Sequence, residues 1–239
     1  MEMAPFINDQ LAALQTAYPG RIIGLAHVPP FDPAAPKELE RAARELGLRG
    51  ICLVTHCQGL YLDAREYAPL YRKAEELGLP IFVHAATLTP EHGLLDDYNL
   101  TRSVGRAYDH TICTAKLVAS GILGEFPRLR IVMGHLGGAF FVLKNRVVAS
   151  APGLWEVPAA LGQYVEQVHF DTAPAQWSRH QVECAVGTLG LRHIVFGTDY
   201  PVIGDMLQTG MATMREAHLS PEDKERILGG NLAELLQVG

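Results

Sequence analysis

The chain has 239 residues, 48% of them hydrophobic and 19% charged, with a formal net charge of −6. This suits one α/β domain, residues 1–239, with a sizeable core. Acids and bases are intermixed without a Lys/Arg run, which excludes a nucleic-acid or membrane-surface partner, and no apolar run approaches the ~18 residues of a membrane span.

Residues 1–19 carry no basic segment followed by an apolar one, so no signal peptide and a cytoplasmic location are expected. Residues 5–18 read as a helix. Short β-branched runs then alternate with helical segments, the pattern of parallel βα units. Strands are predicted over 21–27, 50–54, 80–84, 130–133, 167–171 and 192–197, nearly all Ile, Val, Leu or Phe, as for strands covered on both faces. A helix over 33–46 carries Leu39, Ala42, Ala43 and Leu46 at helical spacing and stops at Gly47. Helices over 65–77, 111–120 and 176–189 stop likewise at Gly78, Gly121 and Gly190. The last helix starts at Ser220-Pro221-Glu222-Asp223, an N-cap, a proline at the first helical position and acids in the first turn. Residues 88–109 form a long insertion and 150–158 a loop. Cys52, Cys57, Cys113 and Cys184 include no Cys-x-x-Cys pair and read as buried thiols, not a zinc site or disulfides.

The fold class expected is therefore a (β/α)8 TIM-type barrel, incomplete, with six visible units. Six strands do not close an eight-stranded barrel, and unpaired edges invite aggregation. A truncated chain, a misassigned start or a homodimer covering the edge would each account for this.

Barrel enzymes place catalytic groups at the carboxyl ends of strands. His84 ends Ile81-Phe82-Val83-His84, His135 follows Ile131-Val132-Met133-Gly134, and Asp199 follows Ile194-Val195-Phe196-Gly197-Thr198. Singly, each has a structural alternative: a hydrogen-bonded histidine, or an Asp shaping the Tyr-Pro turn. Together, two imidazoles and a carboxylate from three strand ends suit a divalent metal and a moving proton. Arg102 or Arg106 in the insertion matches a substrate carboxylate, against the alternative of an arginine on a solvated helix. Tyr61 follows a strand end and faces the same expected pocket. His92, His110, His180, His193 and His218 read as surface residues.

The stretch 121–138, GILGEFPRLRIVMGHLGG, together with FGTDYP at 196–201, PIFVH at 80–84, PGRIIGLAHVP at 19–29 and the closing NLAELL, resembles the amidohydrolase superfamily. The resemblance is to the branch that holds aminocarboxymuconate-semialdehyde decarboxylase, and it runs in order over nearly the whole chain. It implies His84 and Asp199 as ligands of a divalent metal, Zn or Mn. It implies that Asp199 also handles a proton, and that His135 orients or activates the metal-bound water or meets the substrate. Asp171 resembles a family segment too, and reads as a supporting carboxylate. Relatives open with a strand carrying His-x-His or Glu-x-His. No His-x-His occurs here, which implies weak metal binding. His27 and His56 lie near strand ends at positions that hold no metal in relatives.

The function implied is metal-dependent decarboxylation of an aromatic or unsaturated carboxylic acid, a small-molecule carboxylate substrate. A metal-dependent hydrolase of a lactone, ester or amide would use the same residues. A barrel fragment without a metal site or catalysis is the third reading.

Overall fold

The computed structural model describes residues 3–86, 95, 97–149, 161–202 and 204–238. The expected loop over 150–158 thus lies outside the described residues, apart from its position in the chain, as do His92 and Asp96 of the insertion. Strands β1 (Ala26–His27), β2 (Ile51–Val54), β5 (Ile81–His84), β6 (Ile131–Met133), β7 (Val168–Asp171) and β8 (Ile194–Val195) form one parallel sheet in that order. A small antiparallel hairpin, β3 (His56–Cys57) and β4 (Leu60–Tyr61), follows β2. All six expected strands are present, each shorter than the sequence implies; before β7 and β8 the residues Gln167, Arg192 and His193 belong to 3-10 turns. The sheet and its helices make an α/β fold of the barrel type.

Side-chain alternation decides what each strand presents. Ile51, Leu53, Ile81, Val83, Ile131, Met133, Val168, Phe170 and Ile194 join the buried core beneath the helices. Their neighbours Cys52, Val54, Phe82, His84, His169 and Asp171 face the other side of the pleat. The register pairs Val54 with His84, Val83 with Met133 and Asp171 with Val195, so the carboxyl ends share one rim.

The helices are α1 (Met3–Ala17), α2 (Ala35–Arg44), α3 (Ala68–Leu77), α4 (Arg106–Ala119), α5 (Phe140–Ala149), α6 (Leu161–Tyr164), α7 (Arg179–Leu189), α8 (Met206–Glu216), α9 (Pro221–Glu225) and α10 (Asn231–Leu236). Ser220 caps α9, its hydroxyl accepting from the Asp223 N–H at 3.1 Å. The long insertion contributes a π turn (Thr101–Gly105) and the first turn of α4. No described helix is long and apolar enough to cross a membrane. Of the four cysteines, all free, only Cys113 is buried; Cys184 is exposed, which corrects the expectation of four buried thiols.

At β1 the expected hazard of an open edge is met within the chain. The fully buried Asn8 of α1 donates to the His27 carbonyl at 3.0 Å and accepts from the His27 N–H at 2.8 Å. Its amide takes the place of a strand partner, and Glu38 of α2 accepts its other proton at 2.8 Å.

His193 is buried, contrary to the surface position expected, and its ring packs 5.1 Å from that of His169. Burial holds both rings down to a pKa of about 4. The unfolded chain takes up these protons near pH 6.5, the folded chain only near 4. Stability present above pH 6.5 is therefore lost as the pH falls toward 4. Asp171, its carboxyl raised to about 6 by burial, acts in the opposite sense but is one group against five lowered histidines, His27, His110, His135, His169 and His193. Thermal melts from pH 7.5 down to about 4.5 should show a falling Tm, and His169→Leu a shallower fall. A flat profile would contradict this account.

Candidate functional site

The strand-end residues converge. Ligand atoms of His84, His135 and Asp199 all lie within 4.8 Å of one another. His84 Nε2 stands 3.4 Å from Asp199 Oδ1, and His135 Nε2 stands 3.8 Å from Asp199 Oδ2. The two imidazoles meet edge to face with centroids 5.5 Å apart. Asp199 thus offers one oxygen to each ring.

Their backbones are bent to achieve this. His135 and Asp199 hold φ values of 56° and 62°, the left-handed region that costs a side chain about 1 kcal/mol or more. The surroundings compensate. Asp171, one strand over, accepts from the His135 N–H and from the Ala173 N–H, both at 2.9 Å. Gly138 lies at φ 65° and ψ −117°, where the chain turns into α5.

His84 Nδ1 lies 3.0 Å from the Ala85 carbonyl, which accepts only. Nδ1 is therefore a donor, and Nε2 is the ring atom turned toward Asp199. An imidazole nitrogen beside a carboxylate, with a second imidazole nitrogen in reach, is a donor set that fits a divalent cation. His135 is pressed to a pKa of about 4, first by burial and then by His84, with Asp199 opposing, so its ring is neutral near pH 7.

A cleft of about 520 Å³ opens on this cluster. His135 and Asp199 form its floor; Arg102, Ser103 and Arg106 from the insertion side, and Trp177, Gln181 and Met206 opposite, wall it. Arg102 thus lines the cleft together with Arg106. Tyr61 is not among its lining residues. Its hydroxyl donates to Asp109 at 2.9 Å, and that fully buried carboxylate also accepts from Thr55. Thr55 in turn accepts from Ala86 N–H at 2.9 Å, so this network braces the chain just after His84. His56 leans on Tyr61 and Asp109, and His27 lies on the far edge strand; neither joins the metal-ligating cluster.

Reading His110 as a surface residue was mistaken: it is fully buried against His135. The signal was available. Asp109, His110, Cys113, Thr114, Leu117 and Val118 form the buried stripe of α4 at helical spacing, but a helix begun at 111 cuts off its first two members. Trp177 and Met206 carry no sequence signal for the cleft, since any apolar residue at a helix start looks the same.

The amidohydrolase family model matches residues 1–238. The chain is 26% identical, over 99% of its length and 67% of the relative's, to 2-amino-3-carboxymuconate-6-semialdehyde decarboxylase of Dictyostelium discoideum. It is 28% identical to gamma-resorcylate decarboxylase of a Rhizobium species, covering 84% of this chain and 66% of that one. Among solved structures it is similar to a 2,6-dihydroxybenzoate decarboxylase complexed with 2,6-dihydroxybenzoate, at 25% identity and a TM-score of 0.86, covering 99% of this chain and 77% of that one. It is equally similar to 5-carboxyvanillate decarboxylase of Novosphingobium aromaticivorans with bound manganese, at 25% identity and a TM-score of 0.87, covering 99% and 71%. With the family model running to within one residue of its end, and with histidine and aspartate side chains from three strand ends gathered at one rim, the chain belongs to the amidohydrolase family.

Proposed function

We propose that the protein is a divalent-metal-dependent decarboxylase of a small aromatic carboxylic acid. The observation that carries this is the meeting of two imidazoles and Asp199 beside a cleft that His135, Asp199, Arg102 and Arg106 line. The relatives named as decarboxylases of aromatic acids support the substrate class. Manganese in a similar structure supports a divalent metal.

His84 and Asp199 would hold the cation, with His135 at the same centre. A bound divalent cation supplies positive charge that polarises substrate oxygens and acidifies a bound water. Arg102 or Arg106 pairs with an anionic substrate group through its planar fork. Trp177 offers an apolar wall to an aromatic ring. When the carbon–carbon bond breaks, its electron pair stays on the ring carbon, which takes a proton as CO2 leaves. His135 and Asp199 are the groups on the floor able to carry that proton.

The test is CO2 release from 2,6-dihydroxybenzoate, 5-carboxyvanillate and aminocarboxymuconate semialdehyde by protein loaded with Mn²⁺ or Zn²⁺, with and without a chelator. Decarboxylation of one of them, lost on chelation, is expected. Hydrolysis of a lactone or ester panel without CO2 release would replace this reading. Arg102→Ala should raise KM by about tenfold or more with a smaller effect on kcat, since it removes an ion pair made in the ground state. An unchanged KM would remove Arg102 from the substrate site.

A further inference from the structure

Behind His135, away from the cleft, a second imidazole completes a line of three groups. His110 Nε2 lies 2.7 Å from His135 Nδ1, with ring centroids 4.7 Å apart. The other nitrogen of His110, Nδ1, lies 3.4 Å from the Met133 sulfur. Room for the ring comes from Gly134, where a Cβ would stand 3.1 Å from His110 Cε1 and 2.9 Å from the Val83 carbonyl oxygen.

Of the two neutral arrangements of protons along this line, the Met133 thioether selects one. A thioether sulfur accepts and has nothing to donate, so the His110 proton belongs on Nδ1. His110 Nε2 is then a lone pair. Two nitrogens at 2.7 Å need one proton between them, and His135 Nδ1 is the atom left to supply it. His135 Nε2 is then bare and faces Asp199.

The geometry points to His110 as a positioning residue that fixes His135 as the Nδ1–H tautomer and so keeps its Nε2 lone pair on the floor of the cleft. Free histidine prefers the opposite tautomer, with the proton on Nε2. Without its partner, His135 would present a hydrogen to the centre in place of a lone pair. This inference rests on the metal-centre reading of the site. It uses a residue that touches neither the cleft nor the other two members of the cluster.

The test is made on the metal-free full chain with ¹⁵N-labelled histidine. Long-range ¹H–¹⁵N spectra report which ring nitrogen carries the proton, and His135 is assigned by the signals lost in His135→Gln. In the unsubstituted protein His135 should be protonated at Nδ1. In His110→Phe the proton should shift to Nε2, and Mn²⁺ affinity measured by electron paramagnetic resonance should fall about tenfold or more. His110→Gln, whose amide oxygen can accept from Nδ1–H, should keep the tautomer and most of the affinity. An Nε2–H tautomer in the unsubstituted protein overturns the proposal, and that spectrum requires no variant to fold. An unchanged His135 tautomer in a folded His110→Phe overturns it as well. None of these readouts uses CO2 release. A correct tautomer in a protein that decarboxylates nothing would sink the reaction assignment and leave this one standing.

Discussion

Asp199→Asn is expected to lower the rate of metal-dependent CO2 release by about a thousandfold and to abolish stoichiometric Mn²⁺ binding. The substitution preserves size, and asparagine is among the residues that adopt the left-handed backbone held here at φ 62°. What changes is charge and one atom. Each oxygen of Asp199 faces a different imidazole, at 3.4 and 3.8 Å. The amide replaces one of them with an NH2 group and removes the negative charge that a cation held by His84 and Asp199 would require. Thermal stability should stay near that of the parent, because the carboxylate meets the His84 and His135 rings at 3.4 and 3.8 Å, too far for short charge-assisted hydrogen bonds. Initial rates, metal content of the purified protein and a melting curve together decide the matter. A variant that keeps a tenth of the parent activity would show that Asp199 is not at the centre of the chemistry.

Gly138→Ala should be among the most damaging single substitutions in the chain, costing about 4 kcal/mol or preventing folding. A Cβ at this position would lie 1.9 Å from the Ala107 carbonyl oxygen and 2.6 Å from Thr111 Oγ1. Neither atom is free to retreat. Thr111 donates to that same carbonyl at 2.7 Å and accepts from Ala139 N–H at 2.8 Å, so Gly138 sits in the seam between the first turn of α4 and the start of α5. The backbone pair of φ 65° and ψ −117° is open only to glycine. Gly59→Ala supplies the comparison: φ is 78° but nothing lies within 4 Å of the added Cβ. It should cost only the local backbone penalty of about 1–2 kcal/mol. Urea denaturation of both variants separates collision from strain. Equal losses would mean that the seam yields more readily than its contacts indicate.

Much of this molecule follows from local pattern. Hydrophobic runs of β-branched residues, separated by amphipathic stretches ending in glycine, are enough to specify parallel βα units, because burial on both faces and helical spacing leave few alternatives. Its place at the carboxyl end of Ile81-Phe82-Val83-His84 made His84 legible as a rim residue. The neighbours of His135 and Asp199 marked them in the same way, as polar groups following apolar runs.

What remained closed to the sequence depends on partners distant along the chain. His110 and His135 are 25 residues apart, and only the packing of α4 on β6 brings their nitrogens to 2.7 Å. Tyr61 looked available to a ligand until Asp109, 48 residues on, took its hydroxyl. Asn8 shields the β1 edge through bonds to His27 across 19 residues. By itself the sequence determined which residue types reach the rim and which class of chemistry they suit. Tertiary structure alone decided which polar groups are already spent on one another and which remain free for a cation and a substrate. The physical reason is that periodicity encodes the face a side chain points to, whereas hydrogen-bond partnership depends on ångström-scale distances between elements that no local pattern specifies.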